Sequence, residues 1–429
     1  MISRRLVIGL LGAGAAALAL YAAPVALALS PEARNAKLDE TLKGLVDGKS
    51  TPGIAVLILQ NGRPVYKSSV GVREVGGTAP IGENDMFRLA SMTKAVTSVA
   101  TMILVEQGKI GLDDPVSRFL PEFEKLQVRA PDGTEAAASR PPTIRELLTH
   151  TSGLSYNFIN NPRLADAYRE ARVTDGLDLP AISTAEAMKR LASAPLGYQP
   201  GTGWEYSLAT DVLGAVIEKV TGGSLEAFVV ERIAKPLRIE SFVFNVPEAV
   251  RPRFVQATRP AEVTGALGTG YVPLTGPEAV PFPATKGTAS LDPTRAFAPA
   301  AYNSGGGGMS GTMGDYARFL QMLLNEGELD GARVLKAETV KQKTRNATGD
   351  MRTLRGPGWG FTLGFGIVTD PAAAKTRLPA GSYGWGGIYG TQFWVDPANK
   401  VVGLVMTQTA IIGSGAISNP VREAFYTAD

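Results

Sequence analysis

FRLASMTKAVTSVATMILVEQG (residues 87–108) is the stretch around which the rest of the chain is organised. Ala95, Val96, Val99, Met102, Ile103 and Val105 recur at helical spacing and Gly108 stands where a C-terminal cap belongs, so the pattern predicts a buried helix beginning close to Ser91. Ser91 then sits at the N-terminal end of that helix. Lys94, three positions on, lies on the same face and within reach of the Ser91 hydroxyl. A free serine hydroxyl is a weak nucleophile and needs a neighbour to take its proton. A lysine shifted by burial, or working through a third residue, arranges this. A lone S-x-x-K spacing is common by chance, and taken alone it reads as a capping serine and a solvated lysine. Its meaning has to come from the surroundings.

Upstream, Ser30-Pro31 opens a helix over residues 31–47 with Leu38, Leu42, Leu45 and Val46 as its apolar stripe, predicted to pack on a sheet. Residues 54–59 have buried-strand character, Asn61-Gly62 is a hairpin signal, and residues 64–70 return as a second strand. Downstream, residues 122–142 read as a loop. Thr143-Ile144-Arg145-Glu146 is a capping-box signature for a short helix that ends at Thr151-Ser152-Gly153. That helix holds His150, the single histidine of the chain. A Ser-His-Asp mechanism would have to use it, but there is no G-x-S-x-G elbow to present a serine, so His150 is expected to be structural.

Tyr206 follows a Pro200-Gly201 turn and precedes a helix marked by Val212, Leu213, Val216, Ile217 and Val220. By itself it reads as a packing aromatic. Residues 261–299, rich in Pro, Gly and Thr without clear periodicity, read as a long irregular segment crossing between lobes or covering a site. The glycine run at 305–308 lacks the G-K-[ST] ending of a phosphate loop, so close backbone packing is its better account. Strands return over residues 364–368, 392–395 and 400–407. Between the first two lies Gly384-Trp385-Gly386-Gly387-Ile388-Tyr389-Gly390, whose glycines fit either close approach to a ligand or a bulge.

The 429 residues carry 43 Lys and Arg against 40 Asp and Glu, and no Cys. Nothing in that balance supports nucleic-acid binding. Met1-Ile2-Ser3-Arg4-Arg5 followed by an uncharged run to Leu29, with Ala26-Leu27-Ala28 near its end, fits a signal peptide (residues 1–28) cleaved after Ala28. A periplasmic or secreted protein is expected, with no stable membrane association after cleavage. The run is long enough to span a bilayer, and an uncleaved inner-membrane anchor is the alternative.

Ser91-Met92-Thr93-Lys94 after a hairpin, Leu147-Leu148-Thr149-His150-Thr151-Ser152-Gly153-Leu154, Tyr206-Ser207-Leu208 after a P-G turn, the run 305–309, and Trp385-Gly386-Gly387 before the last hairpin occur in one order. Together they resemble the serine β-lactamase and penicillin-binding-protein superfamily, and within it the family VIII carboxylesterases, relatives of class C β-lactamases. The resemblance covers nearly all of the chain from about residue 31. It implies an α/β two-lobed serine β-lactamase-like fold, with an antiparallel sheet flanked by helices plus a mainly helical lobe. The α/β lobe would take residues of about 29–110 and 300–429, the helical lobe about 111–299, with the site between them.

Carried over by position, the resemblance implies that Ser91 is the nucleophile that forms an acyl-enzyme, that Tyr206 takes its proton and later activates water, and that Lys94 supports both. The backbone N–H groups of Ser91 and Ile388 would form the oxyanion hole, and Trp385, Gly386 and Gly387 would line the substrate site. No cofactor or metal is implied. Two departures bear on substrate. The β-lactamase pattern has Asn two places after the tyrosine and Lys-Thr-Gly before the final strand, where this chain has Leu208 and Trp385-Gly386-Gly387. Leu208 cannot hydrogen-bond an acylamide and Trp385 supplies no cation for a substrate carboxylate, so small neutral esters fit better than β-lactams. The rival readings are a β-lactamase or D-alanyl-D-alanine carboxypeptidase, and a non-catalytic binder of cell-wall peptide. The second is disfavoured because a pure binder has no chemical need for Ser91, Lys94 and Tyr206 together.

Overall fold

A computed structural model describes residues 30–178, 182–264, 267–282, 285–298, 302–410 and 415–427; the signal-peptide expectation lies outside the described residues. The first helix, α1 (Pro31–Asp47), starts where the Ser30 side chain accepts a hydrogen bond from the Ala33 N–H, and it buries Leu38, Leu42 and Leu45. β1 (Gly53–Gln60) and β2 (Arg63–Gly71) form the predicted hairpin. Asn61 and Gly62 both have positive φ, 52° and 75°, as a two-residue turn of this kind requires.

The C-terminal half supplies β3 (Trp359–Phe361), β4 (Gly366–Val368), β5 (Tyr383–Gly386), β6 (Gln392–Asp396) and β7 (Val401–Met406). The seven strands form one antiparallel sheet in the order β3-β4-β5-β6-β7-β1-β2. Strand β1 is covered on both faces, which is why it reads as an uninterrupted apolar run. Ile54, Val56 and Ile58 join a core with α1 and the C-terminal helix, α6 (Gly415–Tyr426), while Ala55, Leu57 and Leu59 join the larger core behind the sheet. Each such fully buried side chain is worth about 1.5–3 kcal/mol relative to exposure.

The larger core is built on α2 (Thr93–Glu106), whose first twelve residues are all buried. Polar residues in so enclosed a helix need partners, and they have them. Thr97 Oγ1 donates to the Gly305 carbonyl at 2.8 Å, Thr93 Oγ1 accepts from the Met309 N–H at 3.1 Å, and Tyr316 on α5 (Met313–Leu324) donates to the Met92 carbonyl at 2.8 Å. The middle of the chain adds α3 (Ile144–Thr149), opened by the predicted capping box, and α4 (Ala209–Thr221).

Two readings of the middle segment need correction. Residues 261–299 are not irregular: they contain most of two hairpins, Thr258–Thr264 with Leu267–Pro273 and Glu278–Phe282 with Gly287–Leu291. A smaller hairpin, Gln127–Arg129 with Glu135–Ala137, lies inside the stretch read as a loop. The physical reason is shared. Each is a two-stranded ribbon with a free edge that tolerates Pro260 and Pro281, so proline does not forbid the strand. In Glu278–Phe282 only Val280 is buried, so the alternation of apolar and polar residues never builds up.

Candidate active site

Ser91 lies in a single 3-10 turn, Ala90–Met92, that runs directly into α2. It is not the helix cap: Met92 holds that position and no side chain caps the end. The chain enters the turn with Ala90 at φ 44°, a left-handed conformation that costs a non-glycine residue on the order of 1–3 kcal/mol and needs rigid support. That support is visible. Phe87 and Arg88 pair with Gly311 and Ser310, and the end of β5 presses against the turn from the other side. Only glycine fits at position 387, because a Cβ there would stand 2.5 Å from the Leu89 carbonyl and 3.2 Å from Ala90 Cβ. This contact brings Ile388 and Ser91 to the wall of one cleft. The Ile388 N–H has no acceptor among the described residues.

Lys94, 2% exposed, has its ammonium at the centre of the site. Nζ donates to the Tyr156 hydroxyl and to the Gly306 carbonyl, each at 2.7 Å, and to Ser91 Oγ at 3.3 Å. It also stands 4.7 Å from the centre of the Tyr206 ring and 5.0 Å from that of Tyr156. The glycine run therefore gives a carbonyl to the lysine by close backbone approach, as expected. A Cβ at Gly306 would meet Asp211 Oδ2 at 2.2 Å and the Tyr156 hydroxyl at 2.8 Å. Asp211, fully buried on α4, accepts from Tyr302 at 2.5 Å and Ser304 at 2.6 Å.

Tyr156 and Asp211 were not anticipated from the sequence. Tyr156 lies two residues beyond the 147–154 motif, and that position was its only signal. Burial, with Asp211 next, pushes its phenol well above the ordinary range, so Tyr156 enters the site as a neutral hydroxyl.

Tyr206 precedes α4 and lines the cleft beside Ser91. Its hydroxyl accepts a hydrogen bond from the Trp385 indole N–H at 3.2 Å, and its ring packs on Tyr156, His150 and Trp385 with centroids 5.0–5.2 Å apart. No hydrogen bond links Tyr206 to Ser91 or Lys94 among the described residues. His150 is buried behind this cluster and its Nδ1 pairs with Ser207 Oγ at 3.1 Å, not with Ser91. Burial, with the Lys94 charge second, holds the imidazole well below its usual 6.5. Leu208 is buried in the core and is no part of the cleft wall.

The cleft has a volume of about 860 Å³. Phe158, Ile159, Leu177 and Phe282 give one side an apolar wall, and Trp359 and Trp385 face it from the sheet. A nucleophile beside a buried cation, an unpaired N–H and an aromatic cleft is the equipment of acyl transfer.

The β-lactamase family profile matches residues 38–424. The chain belongs to the β-lactamase family. Within it the chain is a serine hydrolase of the family VIII esterase-like kind. Esterase EstB from Burkholderia gladioli is 36% identical over 410 residues, which cover 94% of this chain and 98% of that protein. The solved structure of EstCE1, a hydrolase with promiscuous acyltransferase activity, matches with a TM-score of 0.83 at 30% identity, over 92% of this chain and 99% of that one. Simvastatin synthase LovD from Aspergillus terreus shares the fold, with a TM-score of 0.72 at 22% identity over 93% of this chain and 98% of that one. The seven-stranded antiparallel sheet with helices on its faces is thus the β-lactamase-like fold that the sequence motifs implied.

Proposed function

We propose that this hydrolase cleaves small carboxylic esters through an acyl-enzyme on Ser91. The observation that carries the reading is the contact of Lys94 with Ser91 Oγ at 3.3 Å, which puts a buried cation beside the oxygen on which negative charge develops. Ser91 Oγ attacks the ester carbonyl as its proton passes to the Tyr206 oxygen. The tetrahedral oxyanion is received by the N–H groups of Ser91 and Ile388, where one lost donor costs on the order of 3 kcal/mol of barrier. The C–O bond to the alcohol breaks, and the alcohol leaves with the proton returned through Tyr206. Water then attacks the acyl group, giving its proton to Tyr206 and releasing the acid and Ser91. Tyr156 is the poorer base because burial and Asp211 keep its phenol protonated. It acts on Lys94, as a hydrogen-bond acceptor that fixes the ammonium.

Esters are favoured over β-lactams because Leu208 faces the core and an indole stands at position 385. The names of EstB and EstCE1 agree with ester cleavage. We read the leader as an export signal and the division near residues 110 and 300 as the boundary between two lobes with the cleft between them. The test is a comparison of p-nitrophenyl esters, nitrocefin and a D-alanyl-D-alanine peptide on the purified protein. Turnover dominated by esters is expected, and turnover dominated by either of the other two would overturn the reading.

A further inference from the structure

Arg355 has an unusual place in the cleft. Its guanidinium lies between two indole rings, 4.6 Å from the centre of Trp359 and 4.8 Å from that of Trp385. A guanidinium held by its faces still presents its edge, with five N–H donors in one plane. None of those donors bonds to a described residue, and no carboxylate pairs with the charge among the described residues. Its neighbours do not supply one. Arg422, on α6, also lines the cleft and is 8% exposed, and its side chain bonds only to the neutral amide of Asn419 among the described residues. Glu423, the one acid on the cleft wall, is engaged by Arg377 at 2.7 Å. Lys375 adds a third cation at the rim. Burial and the proximity of Arg422 both work against the Arg355 charge, so this end of the cleft is short of an anion.

We infer that Arg355, with Arg422 beside it, binds a carboxylate carried by the ester, so that half-esters of short dicarboxylic acids are the preferred substrates. The inference rests on the ester-hydrolase reading and narrows it. It also corrects an expectation from the sequence: Trp385 brings no cation of its own, but it is the platform on which one is held. The two rings fix the guanidinium plane, so little side-chain entropy is left to lose when a carboxylate takes two of its donors, and the aromatic walls exclude water from the pair. The opposite wall, Phe158, Ile159 and Phe282, receives the methylene chain.

The experiment compares mono-p-nitrophenyl adipate, anionic, with p-nitrophenyl hexanoate, neutral and of equal acyl length, each corrected for its uncatalysed rate. The wild-type ratio of kcat/KM, adipate over hexanoate, is expected to exceed one and to fall as salt is raised. In Arg355→Met the ratio falls at least tenfold, and Arg355→Lys recovers part of it. Equal handling of the two esters by the wild type, or an equal loss on both in Arg355→Met, would overturn the inference. Should Arg355→Met not fold, the wild type still decides. Adipate ion inhibits hexanoate hydrolysis competitively and neutral adipamide does not, and equal inhibition by the two, or none by adipate, counts against it. Absence of turnover on either ester by the wild type would instead remove the ester reading itself.

Discussion

The Trp385 indole N–H donates a 3.2 Å hydrogen bond to the Tyr206 hydroxyl, so the residue that replaces a lysine of the β-lactamase pattern holds the proposed base in place. Tyr206→Phe removes a single oxygen and is expected to lower turnover about a hundredfold or more, the scale of general-base loss. Trp385→Phe keeps an aromatic wall and removes one donor, for a loss of about three- to tenfold. Steady-state kinetics on a p-nitrophenyl ester check both. Near-wild-type turnover in Tyr206→Phe, with a folded but inactive His150→Ala, would move the base to His150.

Gly387→Ala tests the oxyanion arrangement from a position that touches no substrate atom. The added methyl group would press on the Leu89 carbonyl, 2.5 Å away, and separate Ile388 from Ser91. A fall in kcat of about a hundredfold is expected, as for a lost oxyanion donor. Unchanged kcat in a folded protein would place the second donor elsewhere.

His150 makes a forecast about stability. Its folded-state pKa is depressed below 6.5, so the unfolded chain binds a proton that the folded chain refuses. Stability from this residue is full above pH 6.5 and is lost as pH falls below it, by at most about 1.4 kcal/mol per pH unit. Denaturant unfolding at pH 7.5 and pH 5 should show a steeper loss for wild type than for His150→Asn. Equal losses would mean that the buried imidazole accepts a proton in the folded protein.

Fold and site were legible to different depths. The hairpin turn at Asn61-Gly62, the capping box at Thr143 and the helix after Ser91 were readable because each depends on local chemistry. The ribbons within residues 258–291 were not, since a two-stranded ribbon buries too little on one face to leave a period. At the site, ordered motifs pointed to Ser91, Lys94, Tyr206 and residues 385–388, and the structure gathers them around one cleft. Tyr156, Asp211 and Arg355 act through contacts between residues 62 to 212 positions apart or through stacking on two tryptophans, and such contacts have no local signature.

Lys343 is fully buried, bonded to Ser98 at 2.6 Å and to the Leu363 carbonyl, with no acid to pair with among the described residues. Burial depresses its folded-state pKa well below 10.5, so the unfolded chain carries the extra proton and wild-type stability rises with pH toward 10.5. Lys343→Met abolishes this contribution. Between pH 7 and pH 10 the wild type should gain stability relative to the variant, read as unfolding free energy. A constant difference would show that the ammonium remains charged in the core.

The central claim is the acyl-enzyme on Ser91. Acid-quenched mass spectrometry of the intact protein, after brief exposure to a p-nitrophenyl ester, measures it directly. Wild type should gain the mass of one acyl group, mapped to the peptide containing Ser91, and a folded Ser91→Ala protein should gain none and turn over no ester. An adduct on another residue together with retained turnover in Ser91→Ala would contradict the account.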